Sequence, residues 1–307
     1  MRSPRGTATV MRAIRIDEPG GPIRLEEIPV PVPRSGEALV EVHAAALTAG
    51  ERAWPRHWPA TVSHEVSGVV AELADDASGR HVGEQVFGLV NLDLDGAAAD
   101  YVTVPAADLA VKPAEIDHVS AASMTLAPLT AWQALVDHGH LEAGQHVFIN
   151  GAAGGVGSYA VQIASALGAT VTATASAEDA DFVEALGADV VVDYAAPDYM
   201  PEGAAHIAID TVGFPPWHSL REGGIMIGIA SEPSEEEASR HRVRSTYFIV
   251  DPSSWDLAEL AELTGAGRLA PTASQVFDLG DADEAFQALD HRHTRGKVVL
   301  AVRPVVS

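Results

Sequence analysis

The chain has 307 residues, 47% hydrophobic and 20% charged, which is enough for two domains with cores of their own and too apolar for disorder. It contains no cysteine, which excludes disulfides, thiolate zinc ligands and a cysteine nucleophile. Its 43 acidic residues against 19 Lys plus Arg leave a net charge of −24, a field that repels nucleic acid and anionic membranes, so neither partner is expected.

Residues 1–10 are basic and lack an apolar h-region, which predicts no secretory signal. They precede a second methionine, Met11, and read as an upstream start or a disordered tail, with a short organellar presequence as the alternative. Without cysteine or a signal, the expected setting is cytoplasmic. From there the pattern is β-rich: residues 11–16, 38–42, 68–72, 82–89 and 99–104 predict short strands separated by Pro, Gly and Asp clusters, and Pro31 and Pro33 mark an extended loop. Residues 121–135 predict a helical link into the next domain.

The apolar run Val147-Phe148-Ile149-Asn150 then breaks into Gly151-Ala152-Ala153-Gly154-Gly155-Val156-Gly157 and resumes with helical spacing at Val161, Ile163, Ala164 and Leu167. With the strand that follows at 170–174 this is one complete βαβ unit. Closely spaced glycines let a pyrophosphate approach backbone N–H groups at the positive end of a helix, so a dinucleotide is the natural ligand. No Asp, Glu, Lys or Arg lies between Glu142 and Glu178, but the glycines and the polar Asn150, Ser158 and Gln162 make this a buried strand and crossover helix rather than a membrane span. A helix at 180–186 and strands at 190–192, 207–209 and 225–229 continue the alternation, which predicts a doubly wound parallel sheet. A helix at 257–263, a strand at 274–277, a helix at 282–289 and a closing strand at 298–302 end the chain. A nucleotide domain inserted into a β domain explains that order.

These landmarks, in order, resemble the zinc-free quinone oxidoreductase-like branch of the medium-chain dehydrogenase/reductase superfamily over residues 11–304. They are Ser63-His64-Glu65-Val66-Ser67-Gly68, Val82-Gly83-Glu84-Gln85-Val86, Ala127-Pro128-Leu129-Thr130-Ala131-Trp132, the glycine turn, Leu186-Gly187-Ala188-Asp189, Asp210-Thr211-Val212-Gly213 and Arg295-Gly296-Lys297-Val298-Val299-Leu300. The resemblance implies an α/β fold: a GroES-like β domain (11–125, completed by 256–307) plus a Rossmann doubly wound parallel-sheet domain (126–255). It implies that Gly154, Gly155, Val156 and Gly157 meet the pyrophosphate, Ser176 the adenosine ribose and Tyr194 the adenosine phosphates. Thr130, Val212, Gly213 and a strand Phe248-Ile249-Val250 would flank the ribose and nicotinamide, and Lys297 would point toward the cofactor from the tail. A homodimer through the sheet edge at 245–250 is expected as well.

Two departures bear on chemistry. Leu47-Thr48 and Leu126-Ala127 stand where zinc-dependent relatives need thiolates, and the paired imidazoles of His138/His140 and His291/His293 read as surface loops, so no metal is expected. The segment Val212-Gly213-Phe214-Pro215-Pro216-Trp217-His218 leaves less room for a helix than the family usually has. Without metal or thiol, the resemblance implies hydride transfer from NADPH to a quinone or an α,β-unsaturated carbonyl. Thr48 is the candidate hydrogen-bond donor to the developing oxyanion; His64 is a second proton donor or, equally, a buried structural imidazole. Glu178, Asp179 and Asp181, just past the second strand of the nucleotide domain, predict weakened discrimination against NADH, which leaves NAD as the alternative cofactor. An alcohol dehydrogenase, a natural-product tailoring enzyme and a non-catalytic NADPH-binding protein are the competing readings on the same fold.

Overall fold

The computed structural model describes residues 9–54, 57–196, 203–290 and 295–304. Most of the basic tail, and His291 and His293, lie outside the described residues. The chain divides into two units: residues 1–126, 251–265 and 271–307 form the first, and residues 127–250 with 266–270 the second.

The first unit is built from β1 (Val10–Ile16), β2 (Arg24–Pro29), β3 (Glu37–Leu47), β4 (Ala60–Thr61), β5 (Glu65–Leu73), β6 (Gln85–Leu89), β7 (Tyr101–Pro105) and β8 (Leu109–Val111), joined late in the chain by β15 (Ala273–Asp278) and β16 (Lys297–Ala301). β3 is its centre: it pairs antiparallel with β5, β7 and β16, and its run Ala44-Ala45-Ala46-Leu47 has no exposed surface. Small residues suit a strand covered on both faces, because neighbouring layers approach closely without voids. The core around Ile14, Val40, Val66 and Val298 is closed by Phe286 from helix α7 (Ala282–Asp290). Full burial of one such side chain contributes about 1.5–3 kcal/mol.

Sequence periodicity misplaces two strand starts here. β5 begins at Glu65 rather than 68, which puts the His64-Glu65 pair at the mouth of a buried strand. β6 begins at Gln85 rather than 82: Gly83 has φ +89° and His81 N donates to Glu84 Oε2, so 81–84 is a turn and Val82 is exposed. The helical link resolves into α1 (His118–Ser123), α2 (Leu126–Trp132) and one stretch of π-helix, Gln133–His138.

The second unit is a six-stranded, wholly parallel sheet in the order β11-β10-β9-β12-β13-β14, with β9 (His146–Asn150), β10 (Thr170–Ala175), β11 (Val190–Asp193), β12 (Ala205–Asp210), β13 (Leu220–Gly228) and β14 (Arg244–Tyr247). This is the expected doubly wound Rossmann order, with its switch point between β9 and β12. Helix α3 (Gly155–Ala166) makes the first crossover, α4 (Ala180–Ala185) the second and α5 (Glu235–His241) the last. The β12-to-β13 crossover is the short one: residues 211–219 contain only a 3₁₀ turn, Trp217–Ser219, in place of an α-helix.

The strand expected at Phe248-Ile249-Val250 is corrected. β14 stops at Tyr247, the Phe248 ring instead packs on His138 with centroids 4.3 Å apart, Ile249 turns outward and Val250 is buried. The sheet edge is therefore the shorter 244–247. Among the described residues, no helix is long and apolar enough to cross a membrane.

Candidate functional site

In the second unit the candidate site grows out of the C-terminal end of β9. Gly151 turns the chain at φ +86°, a conformation closed to a side chain there because a Cβ would sit 2.5 Å from Thr211 Oγ1. Gly151 N donates to Thr174 Oγ1 (2.9 Å), Thr174 Oγ1 donates to Asn150 Oδ1 (2.7 Å), and Asn150 Nδ2 donates to Asp210 Oδ1 (3.1 Å) and Phe214 O (2.9 Å). Thr211 Oγ1 donates to Asn150 O at 2.7 Å. The ends of β10, β9 and β12 are thereby tied across the switch point by buried side chains, which fixes the turn before any ligand arrives.

The glycines of the turn have different jobs. A Cβ on Gly157 would lie 2.1 Å from Gly151 O and 2.8 Å from Ala152 Cα, so this glycine lets α3 pack against the turn. On Gly154 the nearest atom would be Gly151 O at 3.5 Å, ordinary contact, so the fold itself does not require glycine there. Gly154 is the N-cap of α3 and offers no side-chain cap. Uncapped N–H groups at the start of a twelve-residue helix, approached across a position without a Cβ, fit an anionic phosphate. A pyrophosphate-bearing dinucleotide therefore suits the residues present, held by the N–H groups of Gly155, Val156 and Gly157.

Ser176 follows β10 directly, and its hydroxyl donates to Asp179 Oδ2 at 2.7 Å while Asp179 N returns a bond to Ser176 O at 3.0 Å. That closed turn holds a carboxylate at the tip of the second strand. Tyr194 N donates to Ala175 O at 3.3 Å, which brings the half-exposed tyrosine beside the same tip. Val212 and Gly213 follow β12 and Phe248-Ile249-Val250 follows β14, so all of these sit past C-terminal strand ends of one parallel sheet, whereas Thr130 is buried on α2.

The first unit contains a second polar cluster. Antiparallel pairing of Val298 with Leu47 and of Ala46 with Glu65 brings Lys297 of β16, Glu65 of β5 and Thr48, the residue after β3, together. The Lys297 side chain is 4% exposed, and its ammonium donates to Leu47 O (2.7 Å), Thr48 Oγ1 (2.8 Å) and Glu65 Oε1 (2.6 Å), all within this unit. Thr48 Oγ1 donates to the same Glu65 oxygen at 2.9 Å, and Glu65 Oε2 accepts from Thr125 Oγ1 (2.9 Å) and Leu126 N (3.1 Å). Both oxygens of this buried carboxylate thus have two hydrogen-bond partners each.

His64 is fully buried and stacks on Trp54 with centroids 6.3 Å apart. Its neighbour Ser63 has φ +66°, uncommon for a residue with a Cβ, and is held there by Ser63 Oγ donating to Ala46 O (2.8 Å) and Ser63 N donating to Glu51 Oε1 (3.2 Å). A separate cavity of about 300 Å³ in the same unit is lined by His43, Lys112, His118 and Arg303. Burial, then neighbouring His43 and Lys112, push His118 down to about 4, and Ser67 Oγ lies 2.8 Å from its Nδ1. Ser67 has no exposed surface, so this Ser–His contact is not a nucleophile awaiting a substrate.

Sequence reasoning missed Asn150 as the hub of the first cluster and Glu65 as the hub of the second. A charge opening a buried strand and an amide closing one were the available signals.

Comparison with known proteins gives two family matches: residues 34–114 fit an alcohol dehydrogenase GroES-like domain, and residues 186–300 fit a zinc-binding dehydrogenase. The chain is 30% identical, over 95% of its own length and 96% of the relative's, to a probable zinc-binding oxidoreductase, mitochondrial, of Arthroderma benhamiae. The quinone oxidoreductase from Coxiella burnetii superposes with a TM-score of 0.86 at 29% identity, covering 96% of this chain and 100% of that one. A mycobacterial protein solved in complex with NADPH superposes with a TM-score of 0.84 at 28% identity, covering 95% and 99%.

Proposed function

The chain belongs to the medium-chain dehydrogenase/reductase superfamily, and on that premise we propose that this oxidoreductase transfers hydride from a nicotinamide dinucleotide to a quinone or an α,β-unsaturated carbonyl without zinc. The observation that carries the dinucleotide is Gly154, whose missing side chain the fold does not need but an approaching phosphate does. The relatives named for quinone reduction and for NADPH support the rest of the reading.

The zinc of the family description does not fit this chain. No cysteine exists to ligate it, both oxygens of Glu65 are taken by neighbours, and among the described residues no group of three or more His, Asp or Glu is placed to hold a metal. Activation of the acceptor falls to hydrogen-bond donors, for which a conjugated carbonyl is suited: hydride adds at carbon, and the oxygen needs only a donor and then a proton. Thr48 takes that role in this reading, because the residue is only partly buried while His64 has no exposed surface and stacks on Trp54.

NADPH is the cofactor in this reading, with weak discrimination against NADH. The Asp179 carboxylate, oriented by Ser176, repels a 2′-phosphate and accepts a hydrogen bond from a free 2′-hydroxyl. Reduction of a quinone and enone panel with each dinucleotide tests both parts. The expected result is acceptor-dependent oxidation of both, with kcat/KM favouring NADPH by less than roughly a hundredfold, about 2.7 kcal/mol. A larger preference refutes the part given to Asp179, and tight dinucleotide binding without turnover on any acceptor refutes the reductase.

A further inference from the structure

We infer that Lys297 supplies the proton that completes acceptor reduction, acting through Thr48 as a positioning residue; the inference rests on the reductase reading above. Three side chains carry it. Lys297 and Glu65 are 4% and 0% exposed, and Thr48, hydrogen-bonded to both, is the one member of the group that is not buried. Among the described residues, a proton leaving this internal ion pair therefore has its outlet through Thr48.

The bonding pattern keeps the Glu65 carboxylate hydrogen-bonded throughout the transfer. At rest Thr48 Oγ1 accepts from Lys297 Nζ at 2.8 Å and donates to Glu65 Oε1 at 2.9 Å. Rotation of the hydroxyl hydrogen away from Glu65 leaves that oxygen still bonded to Lys297 at 2.6 Å, and the other oxygen still bonded to Thr125 Oγ1 and Leu126 N. A threonine hydroxyl alone is a poor acid, because the alkoxide left behind is high in energy. Delivery of a proton to Oγ1 from an adjacent ammonium as Oγ1 gives its own away avoids that alkoxide.

A bound reduced dinucleotide would supply the hydride for a new C–H bond at the β carbon of the acceptor, which would place the displaced π electrons on the carbonyl oxygen. That oxygen forms an O–H bond with the Thr48 proton; the Thr48 O–H bond breaks and re-forms with a proton from Lys297 Nζ, leaving a neutral amine beside the Glu65 carboxylate. After product departs, one proton from water, passed through the partly buried Thr48, restores the ammonium. The acceptor has gained a hydride and a proton, and the dinucleotide has been oxidised.

The test uses the full chain with Thr48→Val, which keeps the β-branched shape and removes the hydroxyl, and Thr48→Ser, which restores it. Dinucleotide affinity by fluorescence titration monitors integrity, and kcat at saturating acceptor reads the relay. Thr48→Val is expected to lower kcat by roughly a hundredfold or more and Thr48→Ser to return most of it. The paired change Lys297→Met with Glu65→Gln removes both charges together. It is expected to lower kcat to a similar extent, and adding Thr48→Val to it costs no more than about a further twofold, because linked residues do not act additively. Slowing of the wild-type reaction in deuterium oxide, absent in Thr48→Val, is the corresponding isotope result; should the paired variant lose dinucleotide binding, the two Thr48 variants and this isotope effect decide alone. An active wild type with Thr48→Val at the same rate, or losses that multiply independently, overturns the relay and leaves the reductase standing. A wild type that reduces no acceptor overturns both.

Discussion

Gly154→Val is expected to weaken dinucleotide binding by roughly a hundredfold in a folded protein, and Gly157→Val, three residues on, to damage the fold itself. At Gly154 an added Cβ meets only Gly151 O at 3.5 Å, so the cost to stability is that of changing an uncapped N-cap, at most about 1 kcal/mol. The ligand loses its approach to the first N–H groups of α3; two charge-assisted bonds at about 1.5 kcal/mol each amount to roughly a hundredfold in affinity. At Gly157 the same substitution drives a Cβ to 2.1 Å from a backbone oxygen that no rotamer can move. The helix must lift from the turn at a cost on the order of 3 kcal/mol, or about 6–12 °C in melting temperature for a unit of this size. Thermal unfolding and fluorescence titration of both variants read the two effects separately. Undiminished affinity in a folded Gly154→Val chain would make the turn a purely structural connection.

Lys297→Met is the second large effect, and it acts on stability. The change leaves the Glu65 carboxylate buried without its cation, a loss of about 3–5 kcal/mol for breaking a buried pair from one side. Glu65→Gln added to it removes the orphaned charge and is expected to recover a substantial part of that loss. Denaturant unfolding of the wild type, the single variant and the pair measures this directly. A single-variant loss below about 1 kcal/mol would mean that Glu65 finds water or another partner and that the pair does not organise this part of the unit.

What the sequence revealed and what it concealed follow from the range of the interactions. The βαβ unit around Gly154 was legible because its signal is local: a uniformly apolar strand, a glycine turn and a helical repeat lie within a few dozen residues, and the parallel order of β9 to β14 follows from repeated alternation. The 3₁₀ crossover at Trp217 was legible for the same reason, since Pro215-Pro216 in a short segment excludes a helix. The role of Lys297 was not. Its partners stand 249 and 232 positions away in sequence, and only the pairing of β16 with β3, and of β3 with β5, brings them within hydrogen-bond reach. Glu65 and Asn150 were hidden likewise, because their importance lies in which distant groups they satisfy. The strand expected at Phe248 failed because β-rich composition does not record where a ladder ends; packing of its ring on His138 does.

The central claim is that a nicotinamide dinucleotide reduces a conjugated carbonyl or quinone on this chain without metal. The most direct measurement is single-turnover oxidation of enzyme-bound NADPH by an enone or quinone, using protein stripped with a strong chelator and shown to be metal-free by elemental analysis. The expected result is a hydride-transfer rate unchanged by stripping and by added zinc. Activity that disappears with the metal and returns on addition of stoichiometric zinc would contradict the account.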